Sequence, residues 1–272
     1  MKKLPAWELL VEQGFCPDRK TAESRVLEGL VRSGGTRVDT PGQLLSPAAE
    51  LTVVGFGRRF VGKGGLKLEG ALDDFGMDIR GAVAIDAGAS TGGFTDCLVQ
   101  RGASRVYAVD VGFGQLAGSL RQNPHVVNME KANIGDVAPG SLDPAPTLAT
   151  VDLSYLSLRK AIPIFAGILG GRGEMLCLVK PLFETGDSEA RRTGLLGGAG
   201  EYRLLLTELA RFVADEGLLL TGVTHSHVTG NRGTHEFFLR IDCRPGQGAG
   251  IDAAAAIDKA VENVMKLDLY SK

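Results

Sequence analysis

From residue 66 to residue 242 the chain alternates short apolar runs with amphipathic stretches of helical length. AVAID (82–86), RVYAVD (105–110), TLATVDL (147–153) and EMLCLVK (174–180) are the apolar runs, with helical patterns at 66–75, TGGFTDCLVQRG, QLAGSLRQ, LRKAIPIFAGIL and EYRLLLTELARFVADEG; a shorter strand is expected near VVNME. Strands that are apolar on both faces and separated by helices predict a parallel sheet covered on both sides. The closing runs GLLLTGVTHS and THEFFLRID lie close enough in sequence to pair antiparallel, and DAAAAIDKAVENVMK reads as an amphipathic helix. The expected fold class is α/β, a Rossmann-like seven-strand sheet.

Ahead of it sits a different texture. PAWELLVEQG reads as a short helix, and a second opens at Asp18 or Arg19 and is expected to run to the Gly34-Gly35 pair. The β-like runs TRVDT and AELTVVG then flank a Pro41-Gly42 turn. The expected organisation is a small α+β domain over 1–54, a glycine-rich linker over 55–66, and the large domain over 67–272. No internal repeat or low-complexity tract is present.

The net charge of −2 looks wrong for a nucleic-acid binder until it is divided. Residues 1–66 carry ten Lys/Arg against seven Asp/Glu, and the remainder 20 against 25. A basic front end on an acidic body suits phosphate contact by the front end. Arg19, Lys20, Arg25 and Arg32 are expected on or beside the second helix, with Arg58, Arg59 and Lys63 following in the linker. Aromatics make up only 6%, so stacking on bases is a minor part of the expectation.

No apolar run approaches the ~20 residues that span a bilayer. Glu8, Glu12 and Asp18 interrupt any signal-like apolar region after Met1-Lys2-Lys3. Cys16, Cys97, Cys177 and Cys243 form no CxxC pair, so reduced thiols are expected, with no disulfide framework and no metal site. These features lead to an expected cytoplasmic location.

The segment Asp86-Ala-Gly88-Ala89-Ser90-Thr91-Gly92-Gly93-Phe94 follows an apolar strand and opens a helix. Such a turn at the carboxyl end of a parallel strand lets main-chain groups approach a ligand closely. Its D-x-G-x-x-x-G-G spacing differs from the G-x-G-x-x-G of dinucleotide sites. A carboxylate at the strand tip would repel a pyrophosphate but suits the cationic amino-acid end of S-adenosylmethionine. Asp110, at the next strand end, is placed for ribose hydroxyls and serves either cofactor.

D-A-G-A-S-T-G-G-F-T (86–95), V-D-V-G-F-G-Q-L (109–116), D-L-S-Y-L-S-L (152–158) and L-V-K-P-L-F-E (178–184) together resemble the TlyA family of RNA 2′-O-methyltransferases, relatives of the FtsJ-type enzymes. The resemblance covers nearly the whole chain, and the front domain resembles the RNA-binding fold of small-subunit ribosomal protein S-four. It implies S-adenosylmethionine as methyl donor, ribosomal RNA or ribosomal subunits as partner, and no metal. It further implies a catalytic set at Lys67, Asp152, Lys180 and Glu236, with Asp152 also beside the donor and Asn133 near its adenine. A ribose hydroxyl is a poor nucleophile, and a desolvated lysine oriented by carboxylates is suited to activate it. Lys180 is expected as the activator, Asp152 as its orienting group, and Lys67 and Glu236 as ribose-holding groups.

The family's usual Ser-Arg-Ala-Ala-His-Lys-Leu run is replaced here by Gly62-Lys63-Gly64-Gly65-Leu66-Lys67-Leu68, an expected source of flexibility. The stretch from Glu184 to Gly200, with Arg191 and Arg192, has the composition of a lid. Other classes compatible with parts of the chain are a membrane-active hemolysin-like protein, a nicotinamide-dependent oxidoreductase, and a catalytically silent RNA binder.

Overall fold

Glycines and short polar residues break the apolar runs at the places where the chain reverses. The computed structural model describes residues 3–16, 18–54, 59–185, 198–230, 233–244 and 250–267. The chain forms two compact units, 1–59 and 60–272.

In the first unit, α1 (Ala6–Glu12) and α2 (Arg19–Leu27) pack through Ala6, Leu9, Leu10, Ala22 and Val26. The Asp18 carboxylate accepts the Thr21 amide at 2.7 Å and caps α2. The second helix is shorter than its pattern predicts. Gly29 takes a φ of +73°, and the Leu30 amide bonds the Arg25 carbonyl, which closes the helix and turns the chain. Residues 31–33 therefore form a strand, β2 (Val31–Ser33), between β3 (Thr36–Arg37) and β5 (Leu51–Val53). A two-residue ladder, β1 (Leu4–Pro5) with β4 (Leu44–Leu45), completes this unit. Arg32 consequently sits on β2 opposite Arg37 and Thr52, and does not share a helix face with Arg19 and Arg25 as the spacing suggested.

The second unit is built on seven strands: β6 (Val83–Ala87), β7 (Arg105–Asp110), β8 (Val126–Glu130), β9 (Leu148–Val151), β10 (Glu174–Val179), β11 (Leu219–His225) and β12 (Phe237–Asp242). Their spatial order is β11-β12-β10-β9-β6-β7-β8. The inner strands pair parallel, while β12 runs antiparallel between β10 and β11. The expected late antiparallel pair is thus present, inserted at one edge.

Two apolar layers cover this sheet. Ile85, Val151, Cys177 and Leu239 face α5 (Leu158–Leu169), α6 (Ala199–Asp215) and α7 (Ala253–Val264). Ala84, Val106, Leu176 and Phe238 face α3 (Lys63–Asp74) and α4 (Gly93–Gln100). All four cysteines are buried and free.

Residues 63–66, read from sequence as the end of a flexible linker, form the first turn of α3. The glycines there serve packing. A Cβ on Gly93 would lie 3.0 Å from the Gly65 nitrogen, and one on Gly65 would overlap the Phe60 ring. Gly64 and Gly65 thus let the starts of α3 and α4 touch backbone to backbone.

Candidate active site

The parallel strands end on one side of the sheet, and the chain's unusual residues gather there. Gly88 turns the chain after β6 with a φ of +81°, and its amide bonds the Val109 carbonyl at 3.0 Å. A Cβ at Gly88 would overlap the Asp152 carbonyl, so glycine alone fits this crossing. Ser90 also has a positive φ, +48°, and is held by its amide, which donates to the Asp110 carboxylate at 2.8 Å. The other Asp110 oxygen accepts the Gly112 amide at 2.7 Å. One carboxylate therefore fastens two loops, and Glu130 fastens a third point by accepting the amides of Gln115 and Leu116.

Asp86 does something different from what its position at a strand tip suggested. It is fully buried and accepts Thr95 Oγ1 at 2.6 Å and Thr150 Oγ1 at 2.9 Å. It ties β6 to the start of α4 and to β9, beneath the cavity floor. Burial drives its carboxyl up to about 6; the two threonine hydroxyls oppose the rise, and the charge of Asp152 adds to it.

A cavity of about 550 Å³ opens above this turn, within the usual size of a small-molecule site. Gly88, Ser90, Asp110, Val111 and Gln115 line it together with Lys67, Asp152, Lys180 and Glu236. A second recess of about 140 Å³ is lined by Gly62, Gly64, Ala89, Thr91, Gly93 and Phe94, and shares Lys63, Gly88, Ser90 and Asp152 with the first. Gly92, with a φ of +97°, packs against Leu116 and Leu120 instead. Asn133 accepts the Gly135 amide at 3.0 Å and caps a short 3₁₀ turn; it is not among the residues lining either space.

The four expected catalytic residues converge although they come from four elements. Lys67 lies in the second turn of α3, Asp152 just past β9, Lys180 just past β10, and Glu236 just before β12. Lys67 Nζ donates to Glu236 Oε2 at 2.5 Å, and the two residues are only 9% and 4% exposed. Burial pushes the Glu236 carboxyl up, and the Lys67 charge and hydrogen bond pull it back. Lys180 pairs with Asp152 and donates to Ser154 Oγ at 2.9 Å. Ser154 and Gln115 went unnoticed as individual residues, though both lie within the quoted motifs. The third motif also contributes Tyr155, which lines the cavity with Phe183.

The family model described as FtsJ-like methyltransferase matches residues 60–242, which include every residue lining this cavity. The chain belongs to the FtsJ-like methyltransferase family. It is accordingly an enzyme that uses S-adenosylmethionine as methyl donor. The cavity fits that group: Gly88 and Ser90 bring main chain to its lining, and Asp110 at the end of β7 offers an acceptor for a ribose hydroxyl.

The FtsJ-like chain is 39% identical to the Bacillus subtilis protein YqxC, a candidate rRNA methyltransferase, over 88% of this chain and 85% of that one. It is 36% identical to the 16S/23S rRNA (cytidine-2′-O)-methyltransferase TlyA of Mycobacterium tuberculosis, over 85% of this chain and 86% of that one. Among solved structures, a candidate hemolysin from Streptococcus thermophilus superposes with a TM-score of 0.71 at 35% identity, over 98% of this chain and 97% of that one. No helix among the described residues is long and apolar enough to cross a membrane.

Proposed function

We propose that this enzyme methylates the ribose 2′-oxygen of ribosomal RNA, bound as RNA or within a ribosomal subunit. The observation that carries the reading is that two lysine–carboxylate pairs line the same cavity as the glycine turn. The activity named for the M. tuberculosis relative agrees with it.

Bound S-adenosylmethionine supplies a methyl group already activated on a sulfonium. The protein's task is therefore to hold the hydroxyl in line and draw off its proton. Lys180 is the group for this: Asp152 and Ser154 fix its ammonium at the end of β10. As the oxygen gains the methyl, its proton is relayed through Lys180, whose ammonium gives one proton to the Asp152 carboxylate as it takes up the one from the ribose hydroxyl. Lys67 and Glu236 are more deeply buried and hold the sugar side of the cavity. Asp86 acts from below as a positioning residue.

Residues 1–54 form the RNA-binding domain in this reading. Lys20 and Arg32 are exposed, and Arg25 is half-buried. Arg19 bonds Glu23 at 2.8 Å and lies 4.6 Å over the Trp7 ring. Arg59 and Lys63 extend the basic set; Arg58 lies outside the described residues, as do Arg191 and Arg192 of the expected lid. Phosphate contacts of this kind position RNA without reading its sequence. An RNA of the ribosome places the enzyme in the cytoplasm.

Ribosomal subunits incubated with the protein and methyl-labelled S-adenosylmethionine, then digested to nucleosides, test the proposal. Label should appear in 2′-O-methyl nucleosides. Label confined to a base, or no incorporation into either subunit, would overturn it.

A further inference from the structure

Away from the cavity, α3 and the edge strand β11 end side by side. Asp74 is the last residue of α3; His225 is the last of β11, and His227 follows two positions later. One ligand-capable atom from each lies within 4.8 Å of the others. His227 Nε2 is 3.0 Å from Asp74 Oδ2, and the two imidazole rings are tilted 38° with centroids 5.1 Å apart. His225 Nδ1 is buried and has no hydrogen-bond partner among the described residues.

Two further features fit a ligand set. Thr224 Oγ1 donates at 2.5 Å to the same Asp74 Oδ2 that faces His227 and so orients the carboxylate, as outer hydrogen-bond donors do for metal-binding carboxylates. Gly70 stands in the interior of α3, where glycine costs about 1 kcal/mol relative to alanine. A Cβ there would lie 2.7 Å from His227 Nδ1, so the glycine lets the imidazole lie against the helix.

We propose that Asp74, His225 and His227 bind a transition-metal ion, with zinc the best match to two imidazole nitrogens and one carboxylate oxygen. Such a donor set is too nitrogen-rich for magnesium or calcium, which take oxygen ligands. Three protein ligands leave a fourth position to water. The ion's role is mechanical. It clasps the helix that carries Lys67 to the turn whose Ser226 amide bonds the Glu236 carbonyl at 2.8 Å. The buried Lys67–Glu236 pair sits between those two elements, and its geometry is held from outside by the clasp.

The test uses the full chain without a histidine tag, stripped with chelator and titrated calorimetrically with zinc chloride, with magnesium chloride as control. One zinc ion per chain should bind, the Tm should rise on saturation, and magnesium should do neither. His225→Ala and His227→Ala should each weaken zinc binding by about tenfold or more. Cobalt(II) added to the unaltered chain should give visible absorption bands of a low-coordinate site, a readout that needs no variant to fold. Zinc binding that is absent, or identical in the unaltered chain and in the His225→Ala/His227→Ala double variant, would overturn the proposal, as would a cobalt spectrum matching the hydrated ion.

Discussion

Two regions of the cavity lining are made by different means. The glycine turn is main chain, with Gly88 and Ser90 held at positive φ and a loop held by Asp110. The charged region is four ionisable side chains delivered by α3, β9, β10 and the start of β12. The first fails when the backbone is disturbed. The second fails when a charge loses its partner.

The largest effect should follow from breaking the buried pair. Lys67→Ala leaves Glu236, 4% exposed, without its cation, which should lower stability by about 3–5 kcal/mol. Urea unfolding measures the loss, and Lys67→Met/Glu236→Leu should recover most of it while methyl transfer stays absent. A single variant as stable as the unaltered chain would show that the pair is not buried as a unit.

Next comes the group beneath the floor. The Asp86 carboxyl, raised to about 6 chiefly by burial, favours the folded state when protonated. Its contribution is complete below the ordinary carboxylate value of about 4 and is lost as pH rises through about 6, a span worth roughly 3 kcal/mol. Asp86→Asn keeps the shape and cannot ionise. The unaltered chain should therefore lose stability relative to the variant between about pH 4 and pH 7 in urea titrations. Parallel profiles would contradict the assignment of that carboxyl.

The smallest effect is read as donor affinity after a change in the glycine turn. Gly88→Ala places a Cβ against the Asp152 carbonyl at a φ of +81°. Calorimetric affinity for S-adenosylmethionine should fall by about tenfold, or about 1.4 kcal/mol. Unchanged affinity would move the donor away from this turn.

The same division explains what the sequence revealed. The glycine turn and the Asp110 loop occupy contiguous residues, 86–95 and 109–116, so their turn chemistry could be read directly. The sheet was legible because the cores of its inner strands, such as VAIDA and EMLCLV, are contiguous and mostly apolar. Asp86 was assigned to the cavity because a strand-tip acid usually faces a ligand; Thr95 and Thr150 claim both its oxygens, and Thr150 lies 64 residues away. The second helix was extended through Arg32 because its periodicity continues past Gly29, whose left-handed turn ends it. Gly64 and Gly65 read as flexible because their neighbour Gly93 is distant in sequence. The Lys67–Glu236 partnership spans 169 residues, and only the family resemblance brought those two together in advance. The Asp74, His225 and His227 cluster was missed because its carboxylate lies about 150 residues before its imidazoles.

The most direct test of the account is single-turnover methyl transfer by Lys180→Ala, with S-adenosylmethionine affinity measured on the same protein. Lys180 touches the Asp152 and Ser154 side chains and lines the same cavity as the glycine turn. Donor affinity should stay within about twofold of the unaltered chain, and the rate should fall by about 10²–10⁴. A folded Lys180→Ala that transfers methyl groups at the original rate would contradict it.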